Sequence, residues 1–378
     1  MKRRAGKWIA AVIGISMVLG ACAGGKAEQP VPGNSQENVQ TEARTDGTVA
    51  SESQDSQGTL PVKPKDAPMK PEDITIACVV YQEDQHQGII TQAAQQAAKD
   101  YGVQILTANT GGDNAKDLEL MNTYVTQGVD GLVWAPSSEV VLTPLNNIAD
   151  KGIPVTIVNG TPNANVDLSH LYGVFANDNA SMSKTCGQIS APIVKEMYGD
   201  KQVKIAVLQF AALANEASST RVNAFLDALT NEGVNYSVVT DQDAWMQDEA
   251  IQVAGDVITG NPDLDIIFCA NEGAIVGSTM AVKNAGKEGQ IYVFGIDVSV
   301  QISQMMRESN ICQVAVGQNS YEGGYRAAEQ CIQVLMGDTS TEQYVQKWNA
   351  CEDMVLNQRE PETIEIYEQQ MKDLGVMK

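Results

Sequence analysis

Histidine is nearly missing from this chain: His86 and His170 are the only two in 378 residues. The seven cysteines form no Cys-x-x-Cys pair and have no histidine at ligand spacing, which leaves a zinc or iron–sulfur centre without a ligand set. Also absent are a P-loop, a Gly-x-Gly-x-x-Gly fingerprint after a strand and a Gly-x-Ser-x-Gly elbow, so nucleotide and acyl-transfer chemistry lack their usual frames. Gly273-Ala274-Ile275-Val276-Gly277 resembles a phosphate loop but lacks Gly-Lys-Ser/Thr and falls in a predicted helix. Carboxylates alone could serve a glycosidase, but nothing in their spacing singles out a pair, and no enzyme is expected. Basic residues are scarce too: 25 Lys and Arg against 47 Asp and Glu give a formal charge of −22. So acidic a surface argues against nucleic acid as a partner.

The longest apolar run, Trp8 to Gly20, is shorter than the roughly 20 residues a permanent span needs. It follows Lys2, Arg3, Arg4 and Lys7 and leads through Leu19-Gly20-Ala21 to Cys22, which reads as an export signal over residues 1–21. The small residues before Cys22 resemble a bacterial lipobox and imply acylation of that thiol and attachment to the extracytoplasmic membrane surface. Residues 22–72 then lack any aromatic or Ile and hold one Leu, Leu60, which predicts a disordered linker. Without the four basic residues of 1–21, the charge is −26, which fits an exported protein. The six other cysteines lie mostly in apolar runs and read as reduced core residues, with pairing left open.

What is present is a repeat. Ile74–Val80 is echoed by Val203–Gln209, Gly102-Val103 by Gly233-Val234, Asp130–Ala135 by Asp265–Ala270, and Gly152–Asn159 by Gly289–Asp297, at offsets of 129, 131, 135 and 137 residues. The apolar runs do not alternate, as expected for strands covered by helices on both faces. Amphipathic stretches follow, Gly88–Tyr101 before Gly102 and Arg221–Glu232 before Gly233. Alternation of this kind predicts an α/β protein of two Rossmann-like lobes with parallel sheets and a cleft between them. Ligands of open α/β sheets lie beyond the carboxyl ends of the strands. The residues there are polar: Gln82 to Gln87, Asn159, Asn271-Glu272, Asp297 and Gln318.

The motifs Gln127-Gly128-Val129-Asp130-Gly131, Gly152-Ile153-Pro154-Val155, Ala176-Asn177-Asp178-Asn179, Asn261-Pro262-Asp263, and Phe268–Glu272 through Gly295-Ile296-Asp297 occur in order over nearly 290 residues. On these the chain resembles periplasmic sugar-binding proteins of the type I fold, the ribose-binding group that serves ABC importers. The resemblance implies a three-strand hinge crossed near Ala176-Asn177, Gln318 and Cys351. It implies a first lobe of residues 73–176 plus 319–350 and a second of 177–318 plus 351–378. It also implies a monomer that takes a small polar ligand, without cofactor or metal, and delivers it to a membrane permease.

Family positions carry over residue by residue. Asn271 and Asp297 match the amide and carboxylate that hold sugar hydroxyls, Gln318 matches a hinge glutamine, and Trp245 falls where an aromatic stacks on the sugar. The family's first-lobe aromatic pair reads Gln87-Gly88 here, its Asp-Arg pair reads Asn159-Gly160, and a ligand-reaching arginine reads Ser219, while Arg221 retains a second arginine. The ligand-binding set expected is therefore Gln82, Asp84, Gln85, His86, Gln87, Asn159, Ser219, Arg221, Trp245, Asn271, Asp297 and Gln318. Loss of charge and stacking in the first lobe points to a neutral, hydroxyl-rich ligand. Trp134, inside an apolar run, is expected to be packed. A sensory receptor reporting to a membrane kinase or chemoreceptor would show the same cleft. A DNA-binding regulator of related fold is excluded, since a signal and linker stand where its helix-turn-helix would be.

Overall fold

The structure, a computed structural model, describes Pro64 and residues 66–159 and 167–377. The signal at 1–21, Cys22, the linker as far as residue 63, and Gly160 lie outside the described residues. Among the described residues no helix is long and apolar enough to cross a membrane.

The chain alternates strand and helix from the start. In the first half run β1 (Thr75–Val80), α1 (Gln85–Tyr101), β2 (Gln104–Asn109), α2 (Asn114–Gln127), β3 (Gly131–Trp134), α3 (Leu142–Ala149), β4 (Val155–Val158) and β5 (Val174–Ala176). The second half repeats the scheme with α4 (Asn179–Tyr198), β6 (Val203–Gln209), α5 (Ala211–Asn231), β7 (Tyr236–Asp243), α6 (Gln247–Gly260), β8 (Ile266–Cys269), α7 (Glu272–Asn284) and β9 (Tyr292–Ile296). Then follow α8 (Val300–Glu308), β10 (Cys312–Gly317), α9 (Ser320–Leu335), β11 (Trp348–Ala350), β12 (Met354–Asn357) and α10 (Pro361–Asp373).

Two six-stranded sheets result, ordered β11-β5-β4-β3-β1-β2 and β12-β10-β9-β8-β6-β7. The repeat seen in the residues is thus a repeat of topology, since each half places its first five strands in the order 2-1-3-4-5. The strand order reverses between β1 and β3 in one sheet and between β6 and β8 in the other, which makes those carboxyl ends the switch points. Every described pairing is parallel except β12 against β10. That antiparallel pair comes from the short β11–β12 connection, which leaves no room for a crossover helix.

Central strands β3, β4, β8 and β10 are buried along their whole length, whereas edge strands β2 and β7 are largely exposed or half-buried. In the second lobe Phe225 of α5 stacks on Phe268 of β8 with centroids 4.0 Å apart. Burying a ring of that size stabilises by roughly 1.5–3 kcal/mol. Trp134 is fully buried and donates its indole N–H to Asp117 at 2.8 Å, so it belongs to the first-lobe core. All six cysteines in the described residues are free and buried, and burial pushes the Cys78 thiol up to about 12.

Helix α1 begins three residues before Gly88, because Asp84 caps it by accepting from the Gln87 amide. Helix α5 begins ten residues before Arg221, and its first turn is broken at Ala214 (φ −148°, ψ 83°). That first stretch, Ala-rich and polar, carries no apolar period that would announce a helix. The end of the expected linker is not free of the lobe: the Met69 amide donates to the Leu335 carbonyl at 2.8 Å, and Met69 packs against the first-lobe core.

The chain passes between the sheets after β5, after β10 and between β11 and β12. One buried side chain touches all three passages. The Asn177 amide nitrogen donates to the Cys351 carbonyl (3.0 Å), the Glu352 carbonyl (3.1 Å) and the Asp353 carboxylate (2.9 Å). Its two hydrogens serve three acceptors, so one bond is shared. The Asn177 amide oxygen accepts from the Asn319 backbone N–H at 3.0 Å. Replacing Asn177 by Leu would remove four hydrogen bonds to the other two crossings, and a loss of about 2–4 kcal/mol is expected. Urea unfolding measures it; a change under about half a kcal/mol would show that the crossings hold without this amide.

Candidate functional site

The carboxyl ends of both sheets converge on a chamber of about 250 Å³. From the first lobe, Asp84, Gln85, His86 and Ile89 reach it, all in or beside the first turn of α1. The second lobe contributes Arg221, Glu272, Asp297 and Ser299. Gln318, Asn319 and Ser320 come from the second crossing, and Tyr367, Gln370 and Met371 from α10.

Six of the expected residues therefore meet in one place: Asp84, Gln85, His86, Arg221, Asp297 and Gln318. Asn159 lines a recess of about 10 Å³ on the hinge side, together with His86 and Gln318. Gln82 and Gln87 line a neighbouring groove on the first lobe. Ser219, Trp245 and Asn271 line none of these. The Ser219 hydroxyl donates back to the Asn215 carbonyl at 2.5 Å, within its own helix. Asn271 caps α7 through its amide oxygen and donates to the Trp245 carbonyl at 2.9 Å, so both ends of its amide are engaged. Trp245 is half-buried against the second-lobe core. Gly273 must be glycine here, because a Cβ would sit 2.1 Å from the same Trp245 carbonyl oxygen.

The second-lobe wall is built around an ion pair. Arg221, 7% exposed, donates to both Asp297 oxygens at 3.2 and 3.3 Å, to the Ala270 carbonyl at 2.8 Å and to Asn179 at 2.9 Å. Its guanidinium also lies 5.4 Å from the centroid of the Phe210 ring. Asp297 is held at φ +88°, a left-handed conformation uncommon outside glycine. Its backbone N–H donates to the Val316 carbonyl at 2.8 Å, and its carboxylate accepts the Glu272 N–H at 3.2 Å. The chain at Asp297-Val298 runs so close to β10 that a Cβ on Gly317 would lie 2.6 Å from the Val298 nitrogen. Asn159, at the matching place after β4, is also left-handed, at φ +54°. The two copies thus share a left-handed residue at the same point of the repeat.

The first-lobe wall is uncharged apart from Asp84. His86 Nδ1 bonds the Ser320 hydroxyl, while its Nε2 is buried without a partner. The chamber holds carboxylates, amides and hydroxyls, the inventory for binding hydroxyl groups by paired donors and acceptors. Among the described residues no cluster of His, Cys, Asp or Glu could hold a metal ion.

The description of the periplasmic binding protein domain matches residues 76–339. The chain belongs to that family. A curated relative, the ABC transporter periplasmic-binding protein YphF of Escherichia coli K12, is 26% identical over 277 residues, which cover 72% of this chain and 84% of YphF. The D-allose-binding periplasmic protein of the same organism is 26% identical over 59% of this chain and 71% of its own length. Among solved structures, a solute-binding protein of Bacillus halodurans with bound myo-inositol superposes with a TM-score of 0.64 at 17% identity, over 79% of this chain and 99% of that one. One from Actinobacillus succinogenes with bound D-allose gives 0.64 at 18%, over 78% and 100%. These structures show the fold: two α/β lobes joined by a three-strand hinge.

Several periplasmic binding protein residues at this chamber were not expected from sequence. Glu272 stood among the polar residues after the strands but outside the expected ligand-binding set, and Ser299, which follows β9, could have been found by the same rule. Tyr367 and Gln370 could not, because α10 lies beyond the reach of the motifs. Gln85 Nε2 donates to the Tyr367 hydroxyl at 3.2 Å, a bond from the first lobe to the helix that packs on the second. Ile89 follows it into the cluster formed by Tyr367 and Met371.

Glu272 keeps an exposed side chain, yet the chamber wall crowds its carboxyl. Loss of water raises its pKa above the usual 4.5, the Asp297 and Asp84 carboxylates add to the rise, and the Ser299 hydroxyl opposes it. A carboxyl with a raised folded pKa binds its proton more tightly in the folded chain. Its ionisation therefore destabilises the fold as pH climbs from about 4.5 through the raised value. Glu272→Gln should flatten the fall of melting temperature over that window and raise the melting temperature at neutral pH. A parallel pH profile for both proteins would refute the crowding.

Proposed function

We propose that this protein is an extracytoplasmic solute receptor that closes its two lobes on a small, hydroxyl-rich ligand, a sugar or cyclitol, and delivers it to the permease of an ABC importer. The observation that carries the reading is the meeting of Asp84, Gln85, His86, Arg221, Asp297 and Gln318 in one chamber at the hinge of a periplasmic binding protein. The names of the relatives support a carbohydrate: allose for one curated protein, allose and myo-inositol for two solved ones. Residues 73–176 with 319–350 form one jaw, and residues 177–318 with 351–378 the other. Ligand hydroxyls bridge the two, so the closed form is selected by differential affinity. Asn159 stands in the hinge-side recess beside His86 and Gln318, Asn271 and Trp245 support the second-lobe wall next to Glu272, and Ser219 takes no direct part. The ligand is bound and released without turnover by a monomer. Cys22, acylated after removal of residues 1–21, holds the receptor to the membrane through the linker.

Asp297 is the acceptor to test. Asp297→Ala would leave Arg221 buried without its partner, which costs about 3–5 kcal/mol, so Asp297→Asn is the cleaner change. Calorimetry should show affinity for the best ligand reduced at least a hundredfold with the fold retained; an unchanged affinity would remove Asp297 from the site. That ligand is to be found by thermal shift against monosaccharides, cyclitols, sugar alcohols and nucleosides. At a thousandfold excess over Kd it should add about 4 kcal/mol of stability. A response to charged amino acids alone would overturn the carbohydrate reading. Cys22→Ser should move the protein from the membrane fraction to the soluble one, and retention at the membrane would refute the lipid anchor.

A further inference from the structure

The first-lobe amides that the sequence grouped as one site are divided between two openings. Asp84 and Gln85 face the chamber, but they also border a groove of about 660 Å³ between the first half of α1 and the carboxyl end of edge strand β2. The two openings share these residues and so adjoin at the amino terminus of α1. The chamber encloses about 250 Å³, whereas the groove lies largely open to solvent.

The groove's chemistry is distinct. Gln82, Glu83, Gln87, Gln92, Thr107 and Asn109 line it beside the shared Asp84 and Gln85, with no lysine, arginine or aromatic ring. Gln87 is fully buried, and neither its amide nitrogen nor its amide oxygen has a partner. The amide oxygen of Gln92 is buried and unpartnered as well. On its buried face α1 otherwise carries Ile and Ala, so Gln87 occupies a position where an apolar side chain would pack without penalty. A buried amide left unpaired is costly; a bound hydroxylated group would supply both the donor and the acceptor that Gln87 lacks. The lack of basic residues disfavours an anion, and the lack of an aromatic platform disfavours a nucleobase.

We infer that the groove is a second subsite and that the ligand is longer than one ring: a disaccharide or glycoside with one ring in the chamber and a neutral, hydroxylated second unit against Gln87. The inference rests on reading the chamber as a carbohydrate site. Calorimetry on the full chain with matched disaccharides, their component monosaccharides and myo-inositol tests it. At least one disaccharide should bind tenfold or more tightly than either of its components. Gln87→Leu should cut that advantage to under threefold. Thr107→Trp, a change on an exposed edge strand that fills the groove, should do the same and covers the case in which Gln87→Leu disturbs the fold. Monosaccharides that bind as well as any disaccharide, or a disaccharide advantage that survives both substitutions, would overturn the second subsite alone. If no carbohydrate of either length binds, the reading of the chamber fails and the subsite falls with it.

Discussion

The two lobes can move only as far as the three chain crossings allow, and those crossings meet at the side chain of Asn177. Its amide reaches the backbone before α9 on one side and the Cys351–Asp353 turn on the other. Asp353 is in turn held by the Thr185 hydroxyl at 2.8 Å, which fastens the third crossing to α4 of the second lobe. A hinge with its crossings tied at the centre bends by small changes at several residues instead of opening at one. The chamber lies beside this knot, since Gln318 and Asn319 belong to the same crossing.

Helix capping shapes both walls of the chamber, and a buried ion pair is added in the second lobe. The second-lobe wall depends on charge: Arg221 and Asp297 satisfy each other, and the remaining arginine bonds go to a carbonyl and an amide, so little of the buried charge is left unpaired. The first-lobe wall depends on helix capping. Asp84 caps α1, and the same job is done by Asn271 for α7, Ser299 for α8 and Asn319 for α9. Capping is a local constraint that holds whether the lobes are open or closed. It is also the reason that polar residues follow nearly every strand.

That double use explains what could be read in the sequence and what could not. The strands were legible because β3, β4, β8 and β10 are buried on both faces and so carry unbroken apolar runs. The polar residues after them were legible as a group, but capping and ligand binding select the same side chains at the same places. Asn271 shows the consequence: its position fits a ligand contact, and its amide is engaged with Ala274 and Trp245. Ser219 looked equivalent to a ligand-reaching residue, and its hydroxyl turns back on α5. The antiparallel β12 and the part played by α10 were not legible, because they depend on where the last segment lands and not on any local period. Gln87 is a further case. The sequence sets it in the loop before Gly88, and only the helix start at Gln85 puts this glutamine among Ile and Ala on a buried face.

The asymmetry of the repeat follows from these devices. Asn159 and Asp297 stand at the same point of the two copies, and both are left-handed. Only Asp297 has an arginine beneath it, and so only the second lobe can bury a carboxylate at that point. Asn159, with the Tyr81 hydroxyl as its side-chain partner at 3.4 Å, is neutral and weakly held. An amide both donates and accepts, and one with few fixed partners can turn to suit different hydroxyl arrangements. A carboxylate locked by arginine cannot. The second lobe therefore fixes its carboxylate in one orientation, whereas the first lobe presents the amides of Gln85 and Asn159 at the matching strand ends.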